Sequence, residues 1–163
     1  MKKKVLFITQ AAIISALYVV LTYFISAINL ASGVVQFRIS EALTILPVFT
    51  PAAVPGLFVG CLISNTITGC VILDIIFGSL ATLLGALGAY GLRKLPYLAP
   101  ICPVISNAFI VPFVLRYAYG IGDAYWYLVI TVGIGQILSC YVLGLMLYNV
   151  LKKRRKIFVQ EDD

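Results

Sequence analysis

The sequence predicts an all-α integral membrane protein. It forms one domain over residues 1–163, a six-transmembrane-helix bundle with short, proline-broken second and third helices. The 163-residue chain is 62% hydrophobic, and only seven charged residues lie between Val5 and Leu151. These charges leave five long uncharged runs. An apolar run of about 18 residues or more is long enough to cross a bilayer as a helix.

The basic residues indicate which helix ends face the cytoplasm. Ten of the twelve lie in three clusters, Lys2–Lys4, Arg93–Lys94 and Lys152–Lys156, and basic flanks of membrane helices remain on the cytoplasmic side. We therefore expect both termini and Arg93–Lys94 in the cytoplasm, which requires an even number of crossings. Because the net charge of +6 resides in these flanks, it does not indicate nucleic-acid binding.

The individual helices follow from the uncharged runs and the basic clusters. The first helix begins at the N-terminal lysines, and an outer loop at Asn29–Gln36 separates it from the second. The fourth and fifth meet at Arg93–Lys94, and the sixth ends at the C-terminal basic cluster. The predicted helices are Lys4–Ala27, Phe37–Phe49, Pro51–Ile67, Val71–Leu92, Tyr97–Tyr117 and Ala124–Leu151.

The second and third helices are the ambiguous part of this topology. Pro47, Pro51 and Pro55 interrupt residues 37–67, and each proline lacks a backbone N–H and disfavours helix at the preceding residue. The segment forms either two short, tilted helices, which we favour, or a re-entrant hairpin from the outside. A single crossing would place the C-terminal basic cluster outside. Broken helices at membrane depth occur only inside protein or beside a cavity, so the break indicates a site.

Three charged residues inside the predicted bundle are candidate solute-binding groups. Ionisable side chains at membrane depth are costly, and they usually serve a site or pair with one another. Arg38 and Glu41 are three residues apart, so they share a helix face and could pair. Asp74 lies in the first turn of the fourth helix, where the helix dipole favours an anion.

Further polar candidates lie on the third and fifth helices. Amides also hold membrane helices together, an arginine at a helix end can extend to the interface, and tyrosines form interfacial belts, so each has a structural alternative. With the three charged residues they indicate an outward-facing pocket for a small planar polar solute. These candidates are Asn65, Asn107, Arg116 and Tyr117.

Several functional classes receive no support from the sequence. The chain has no histidine, and its four cysteines are dispersed, as expected for buried free thiols. It contains no phosphate-binding loop, nucleophile elbow or metal-ligand cluster, and no internal repeat typical of secondary carriers. We therefore expect no catalysis, no cofactor and no metal. If the protein transports, the driving machinery is expected on another chain.

The first helix has a face of small residues. Ala12 and Ala16 are four residues apart, a spacing that permits close approach by another helix. That helix belongs either to the bundle itself or to a partner protein.

The central segment resembles a known family. Phe37–Pro47 reads FRISEALTILP and Phe49–Cys61 reads FTPAAVPGLFVGC; both are similar to the QueT family of substrate-binding S components of energy-coupling factor (ECF) transporters. The resemblance extends over nearly the whole chain in length and helix order. It implies a six-helix bundle in a bacterial plasma membrane that captures solute outside. It also implies docking, through Ala12 and Ala16, onto a transmembrane coupling subunit with two ATPase subunits.

The resemblance further implies a queuosine precursor or related 7-deazapurine as solute, such as queuine, preQ1 or preQ0. A carboxylate can accept two N–H groups from the edge of such a base, and a second can pair with a cationic amine. Glu41 and Asp74 are the candidates, with Arg38 orienting Glu41, the two asparagines adding hydrogen bonds and an outer aromatic stacking on the base.

Three other functions stay open at this point. The protein could be an S component for another vitamin-like solute, or a self-contained secondary carrier or channel. It could also be a small membrane enzyme or thiol oxidoreductase, although the scattered cysteines and the lack of histidine argue against that.

Overall fold

A computed structural model describes residues 2–27 and 38–157, and all regular secondary structure within them is helical. The predicted all-α bundle is confirmed, while the predicted loop at Asn29–Gln36 lies outside the described residues. In chain order the elements are α1 (Lys2–Ala27), a central 3₁₀ helix (Ile39–Val48), α2 (Ala53–Ile67), α3 (Ile72–Gly91), α4 (Ile101–Tyr117), α5 (Tyr125–Gln136), a π segment (Ile137–Leu143), α6 (Gly144–Leu151) and a final 3₁₀ stretch (Lys152–Ile157).

The six predicted spans correspond to these elements, with α5, the π segment and α6 forming one continuous helix. Three helices in the described part of the chain are long and apolar enough to cross a membrane, Lys3–Ala27, Ile72–Gly91 and Tyr125–Arg154. The central 3₁₀ helix, α2 and α4 are shorter apolar helices. The predicted fifth span begins later than expected, at Ile101 instead of Tyr97. Pro96 and Pro100 hold residues 92–100 in a series of turns.

The central 3₁₀ helix is the most unusual element of the bundle. Every residue from Ser40 to Val48 is buried, because the helix packs against α1, α2, α3, the π segment and α6. A 3₁₀ helix rises about 2.0 Å per residue against about 1.5 Å in an α-helix, so ten residues extend about 20 Å. The tighter winding therefore gives a short segment the reach of a longer α-helix.

The contacts between α1 and α2 show that these two helices run in the same direction. Gly56 lies against Ala11, and Gly60 lies against Ser15 and Tyr18. Residue numbers rise together along both helices, so α1 and α2 run parallel and the 3₁₀ helix returns the chain between them.

The 3₁₀ helix reaches the end of the bundle where basic side chains gather. Val48 lines a cavity together with Arg93, Lys94 and Lys152. We call this the basic end, and we call the opposite end, which bears Tyr117, Tyr119 and Tyr125, the tyrosine-rich end. The 3₁₀ helix and α2 are thus two short helices that meet near this end.

Small residues set the close approach between α1 and α2. A Cβ atom added at Gly60 would lie 2.8 Å from the Tyr18 Cβ and 3.1 Å from the Ser15 Cα. At Gly56 it would lie 2.7 Å from the carbonyl oxygen of Ala11. Glycine at these positions therefore lets α1 pack directly on the backbone of α2.

We predict that Gly60→Ala destabilises the protein by about 1–3 kcal/mol, because the added methyl group overpacks the α1–α2 interface. Gly133→Ala is the matched control, since its Cβ would lie 3.8 Å from the nearest atom, the Ala108 Cβ. Replacing a glycine inside a helix with alanine otherwise stabilises by up to about 1 kcal/mol. Thermal unfolding in detergent measures both variants, and a Gly60→Ala protein as stable as Gly133→Ala would contradict the packing.

Candidate functional site

Glu41 lies on the central 3₁₀ helix and is almost completely buried, with 1% of its surface exposed. The Tyr18 hydroxyl on α1 donates a 2.5 Å hydrogen bond to Glu41 Oε1. On the opposite side, Cys140 Sγ of the π segment lies 3.9 Å from Oε2, a long contact because its single S–H points to the nearer Gln136 Oε1 at 3.0 Å. The short hydrogen bond to Glu41 therefore comes from Tyr18 and not from Arg38, although the Arg38 charge lies close enough to interact electrostatically.

Arg38 and Asp74 belong to a second polar group that adjoins Glu41. Arg38 Nη1 donates to Asn65 Oδ1 at 3.4 Å, and Asn65 Nδ2 donates to the Asp74 carbonyl oxygen at 3.4 Å. Arg38 also interacts electrostatically with both Asp74 and Glu41. The 3₁₀ helix, α2 and α3 thus each contribute one or two groups to a single polar layer in the half of the bundle nearer the tyrosine-rich end.

Two irregular helices position this layer. Arg38 is the extended residue that caps the 3₁₀ helix, and its carbonyl oxygen accepts a 3.0 Å hydrogen bond from the backbone N–H of Glu41 in the first turn. The facing π segment presents Ser139, whose Oγ accepts a 3.2 Å hydrogen bond from the Arg38 backbone N–H. It also presents Cys140, whose Sγ donates to Gln136 Oε1 at 3.0 Å. π-helical turns recur at functional sites because they widen the helix locally.

Gly78 leaves room for the polar layer on α3. A Cβ at this position would lie 3.1 Å from Asp74 Oδ1 and 3.2 Å from Asn65 Nδ2. Any larger residue would therefore crowd the carboxylate and the amide that the layer brings together.

Tyr119 covers Asp74 from the tyrosine-rich end. Its hydroxyl donates a 3.0 Å hydrogen bond to Asp74 Oδ2, and the residue lies in the connection between α4 and α5 with 42% of its surface exposed. Partial burial and the charge of Asp74 raise the pKa of Tyr119. The hydroxyl therefore remains a neutral donor at physiological pH, and it is the most exposed group in contact with the layer.

The charges of the layer suit a ligand rich in N–H groups. Two carboxyl groups, Glu41 and Asp74, face one guanidinium group, Arg38. Arg38 is half-buried, and within the described residues its side chain makes one hydrogen bond, to Asn65. A guanidinium group has five N–H donors, so it retains donors for a carbonyl oxygen of a ligand.

The remaining predicted residues lie apart from this layer. Asn107 is buried on α4, where its Nδ2 donates to the Pro103 carbonyl oxygen one turn earlier at 3.1 Å. Arg116 is exposed. Tyr117 is 67% exposed, and its ring packs on Phe113 with centroids 4.6 Å apart.

Four residues that contact the layer, Tyr18, Tyr119, Ser139 and Cys140, were not predicted as solute-binding residues. The sequence does not distinguish Tyr119 from the other tyrosines at the same end. Ser139 and Cys140 lie on the π segment, whose winding the sequence does not predict. Tyr18 had a detectable signal, because Ser15, Tyr18 and Thr22 place polar groups on one face of an apolar helix at helical spacing. All three are buried, and Thr22 Oγ1 lies 2.8 Å from Ser40 Oγ of the 3₁₀ helix.

No metal-binding constellation occurs in residues 2–27 and 38–157. No group of three or more histidine, cysteine, aspartate or glutamate side chains is placed to hold an ion there. The four cysteines are free thiols, and Cys61 and Cys140 are fully buried.

Ala12 and Ala16, the predicted docking residues, lie on the exposed face of α1. They line an apolar groove of about 590 Å³ between α1 and α2, with Val59 and Ile63 on its other wall. The neighbouring small residues Ala11 and Ser15 line the α2 side of the same groove, where they contact Gly56 and Gly60. α1 therefore carries two adjacent small-residue stripes, one packed on α2 and one open to its surroundings.

Comparison with known proteins adds family information. A family described as QueT transporter matches residues 8–153. A queuosine precursor transporter QueT from Lactococcus lactis subsp. cremoris (strain MG1363) is 37% identical over 82 residues, which make up 50% of this chain and 48% of that protein. The matched part thus spans about half the length of that relative. No solved structure matches.

We predict that Tyr18→Phe destabilises the protein by about 1.5–3 kcal/mol, because it removes a buried hydrogen bond to a carboxyl group. Tyr23→Phe is the control on the same helix, since Tyr23 is 56% exposed; its effect should stay within about 0.5 kcal/mol. Thermal or denaturant unfolding in detergent provides the measurement. In a double-mutant cycle with Glu41→Ala, which removes the acceptor of the Tyr18 hydroxyl, the two changes should be non-additive by about 0.5–3 kcal/mol, and simple additivity would contradict the direct contact.

Proposed function

The chain belongs to the QueT transporter family, and on that premise we propose that it is the substrate-binding S component of an ECF transporter. It captures a queuosine precursor or related 7-deazapurine outside a bacterial plasma membrane. The observation that supports this most is the polar layer of Arg38, Glu41, Asn65 and Asp74 inside an otherwise apolar bundle. Buried ionisable groups in a membrane bundle are costly, which favours a solute-binding role.

The chemistry of the layer matches a deazaguanine base. The base presents N–H donors and a carbonyl acceptor on one edge, and two carboxyl groups beside a guanidinium group complement that pattern. Glu41 or Asp74 accepts the base N–H groups, and the second carboxylate pairs with the cationic amine of precursors that have one. The Arg38 guanidinium donates to the carbonyl oxygen.

Access to the layer is from the tyrosine-rich end. Tyr119 is the exposed group that hydrogen-bonds Asp74, so the arriving solute replaces its hydroxyl as the partner of the carboxylate. The aromatic ring then lies beside the solute and can stack on a flat base. With both termini and the basic end in the cytoplasm, the tyrosine-rich end faces outside.

Transport requires partner subunits in this proposal. The exposed groove at Ala12 and Ala16 is apolar and lined by small residues, which is the surface that a closely packed partner helix needs. We assign this groove to the transmembrane coupling subunit, with ATP hydrolysed by two further subunits and no catalysis on this chain.

We predict that Glu41→Gln and Asp74→Asn each weaken binding of a deazaguanine base at least tenfold without unfolding the protein. A lost hydrogen bond to a charged partner costs about 1.5–3 kcal/mol, and about 1.4 kcal/mol is tenfold in affinity. Gln and Asn each keep an oxygen acceptor for Tyr18 or Tyr119, so the fold is retained. Asp123→Asn, an exposed carboxylate at the same end, is the control. Isothermal titration of the purified variants measures the affinity. Wild-type affinity in both variants would show that the two carboxylates have a structural role only.

We predict that Ala12→Leu combined with Ala16→Leu leaves solute binding by the isolated protein intact. The added bulk fills the groove, so the variant should fail to co-purify with the coupling subunit and lose ATP-dependent uptake in proteoliposomes. Ile130→Leu with Ile134→Leu, an exposed pair four residues apart on α5, is the control. Normal assembly and uptake by the alanine variant would refute the docking assignment, and loss of solute binding would show that the alanines support the fold.

A further inference from the structure

A cavity of about 420 Å³ lies at the basic end of the bundle, far from the polar layer. Three segments form it: the end of the 3₁₀ helix, the connection between α3 and α4, and the end of α6 with the first residue after it. Arg93, Lys94 and Lys152 line it together with the apolar surfaces of Phe49, Pro96 and Tyr148. It shares no lining residue with the α1–α2 groove.

The charges around this cavity are uncompensated by carboxylates of the described chain. Residues 2–27 and 38–157 contain three carboxylates. Asp74 and Asp123 lie at the tyrosine-rich end, and Glu41 is seven residues, about 14 Å, along the 3₁₀ helix from Val48. Three cations that converge on one cavity repel one another unless an anion binds between them.

Aromatic groups contact two of the three cations, Arg93 and Lys152. The Arg93 guanidinium lies 4.7 Å from the Tyr90 ring centroid and donates a 2.6 Å hydrogen bond to the Tyr90 hydroxyl. Lys152 Nζ lies 5.9 Å from the ring centroid of Tyr148. Tyr148 in turn packs against Phe49 with centroids 5.4 Å apart. Arg93 uses one N–H group in its hydrogen bond to Tyr90, which leaves further donors of its fork for an oxyanion.

Apolar side chains on the same connection indicate the other half of the ligand. Leu95, Tyr97 and Leu98 follow the two basic residues directly and are 53%, 53% and 45% exposed. A cation cluster beside exposed aliphatic and aromatic groups is typical of the membrane interface, where headgroup and acyl chain meet. A free phosphate would use only the cations, whereas a lipid uses both.

From this geometry we propose that the cavity binds the phosphate headgroup of an anionic phospholipid. Arg93, Lys94 and Lys152 contact the phosphate oxygens, the ring of Tyr148 forms a wall, and the acyl chains lie over Leu95 and Leu98. The lipid joins the α3–α4 connection to the ends of the 3₁₀ helix and α6. The site is independent of the solute site and of the ECF assignment.

Native mass spectrometry of the purified protein tests the site, with phosphatidylglycerol and phosphatidylcholine of identical acyl chains as probes. The wild type should bind one phosphatidylglycerol at least tenfold more tightly than phosphatidylcholine. Arg93→Gln, Lys94→Gln and Lys152→Gln together should weaken phosphatidylglycerol binding about a hundredfold, because each basic residue near the headgroups strengthens binding roughly fivefold. Lys152→Gln alone, at an exposed position, should cause a partial loss.

The matched control removes three charges at the same end but outside the cavity, by Lys4→Gln, Lys153→Gln and Arg154→Gln. It should keep the lipid preference. Equal loss in the control, or an unchanged preference in the cavity variant, would overturn the site. Inorganic phosphate is the second probe, and if millimolar phosphate displaces the lipid completely, the cavity recognises free phosphate and the lipid assignment is wrong.

Discussion

Glu41 brings a carboxyl group into the middle of an apolar bundle, where only 1% of its surface is exposed. Removing an ionised carboxylate from water costs several kcal/mol unless hydrogen bonds and charge offset that cost. Here the compensation comes from the hydroxyl of Tyr18 on α1 and the nearby charge of Arg38, with Cys140 Sγ of the π segment 3.9 Å from the other carboxylate oxygen. Glu41 can therefore be accommodated only when these elements hold one arrangement around the central 3₁₀ helix.

α1 joins the polar layer to the outside of the bundle. Tyr18 and Ala16 are two residues apart, about 200° around an α-helix, so they face nearly opposite directions. The helix holds Glu41 with one face and borders the α1–α2 groove with the other. In the proposed function, a solute that competes for Glu41 acts directly on the helix that contacts the coupling subunit. No long pathway through the bundle is needed.

The spans and the polar layer could be predicted from sequence because charge is so rare in this chain. Long uncharged runs define the helices, and the isolated Arg38, Glu41 and Asp74 mark the layer. The 3₁₀ and π windings could not be predicted, since the choice among i+3, i+4 and i+5 hydrogen bonds depends on tertiary packing that residue spacing alone does not reveal. The spacing of Tyr18 with Ser15 and Thr22 marks a polar face on α1, but its pairing with Glu41 depends on how the helices pack. The two small-residue stripes of α1 look alike in sequence, and only the contact of Ala11 and Ser15 with the glycines of α2 shows which one faces inward.

If the polar layer binds the solute, the purified protein should retain that solute and lose it when the layer is changed. Purified wild-type protein is incubated with an extract containing small metabolites, washed and denatured, and the released molecules are identified by mass spectrometry. We expect a 7-deazaguanine base from the wild type and from Asp123→Asn, and none from a Glu41→Gln, Asp74→Asn double variant that remains folded. Recovery of the same base from the double variant would contradict a solute site in the polar layer. So would recovery, from the wild type, of a solute that has no N–H donors for the two carboxylates.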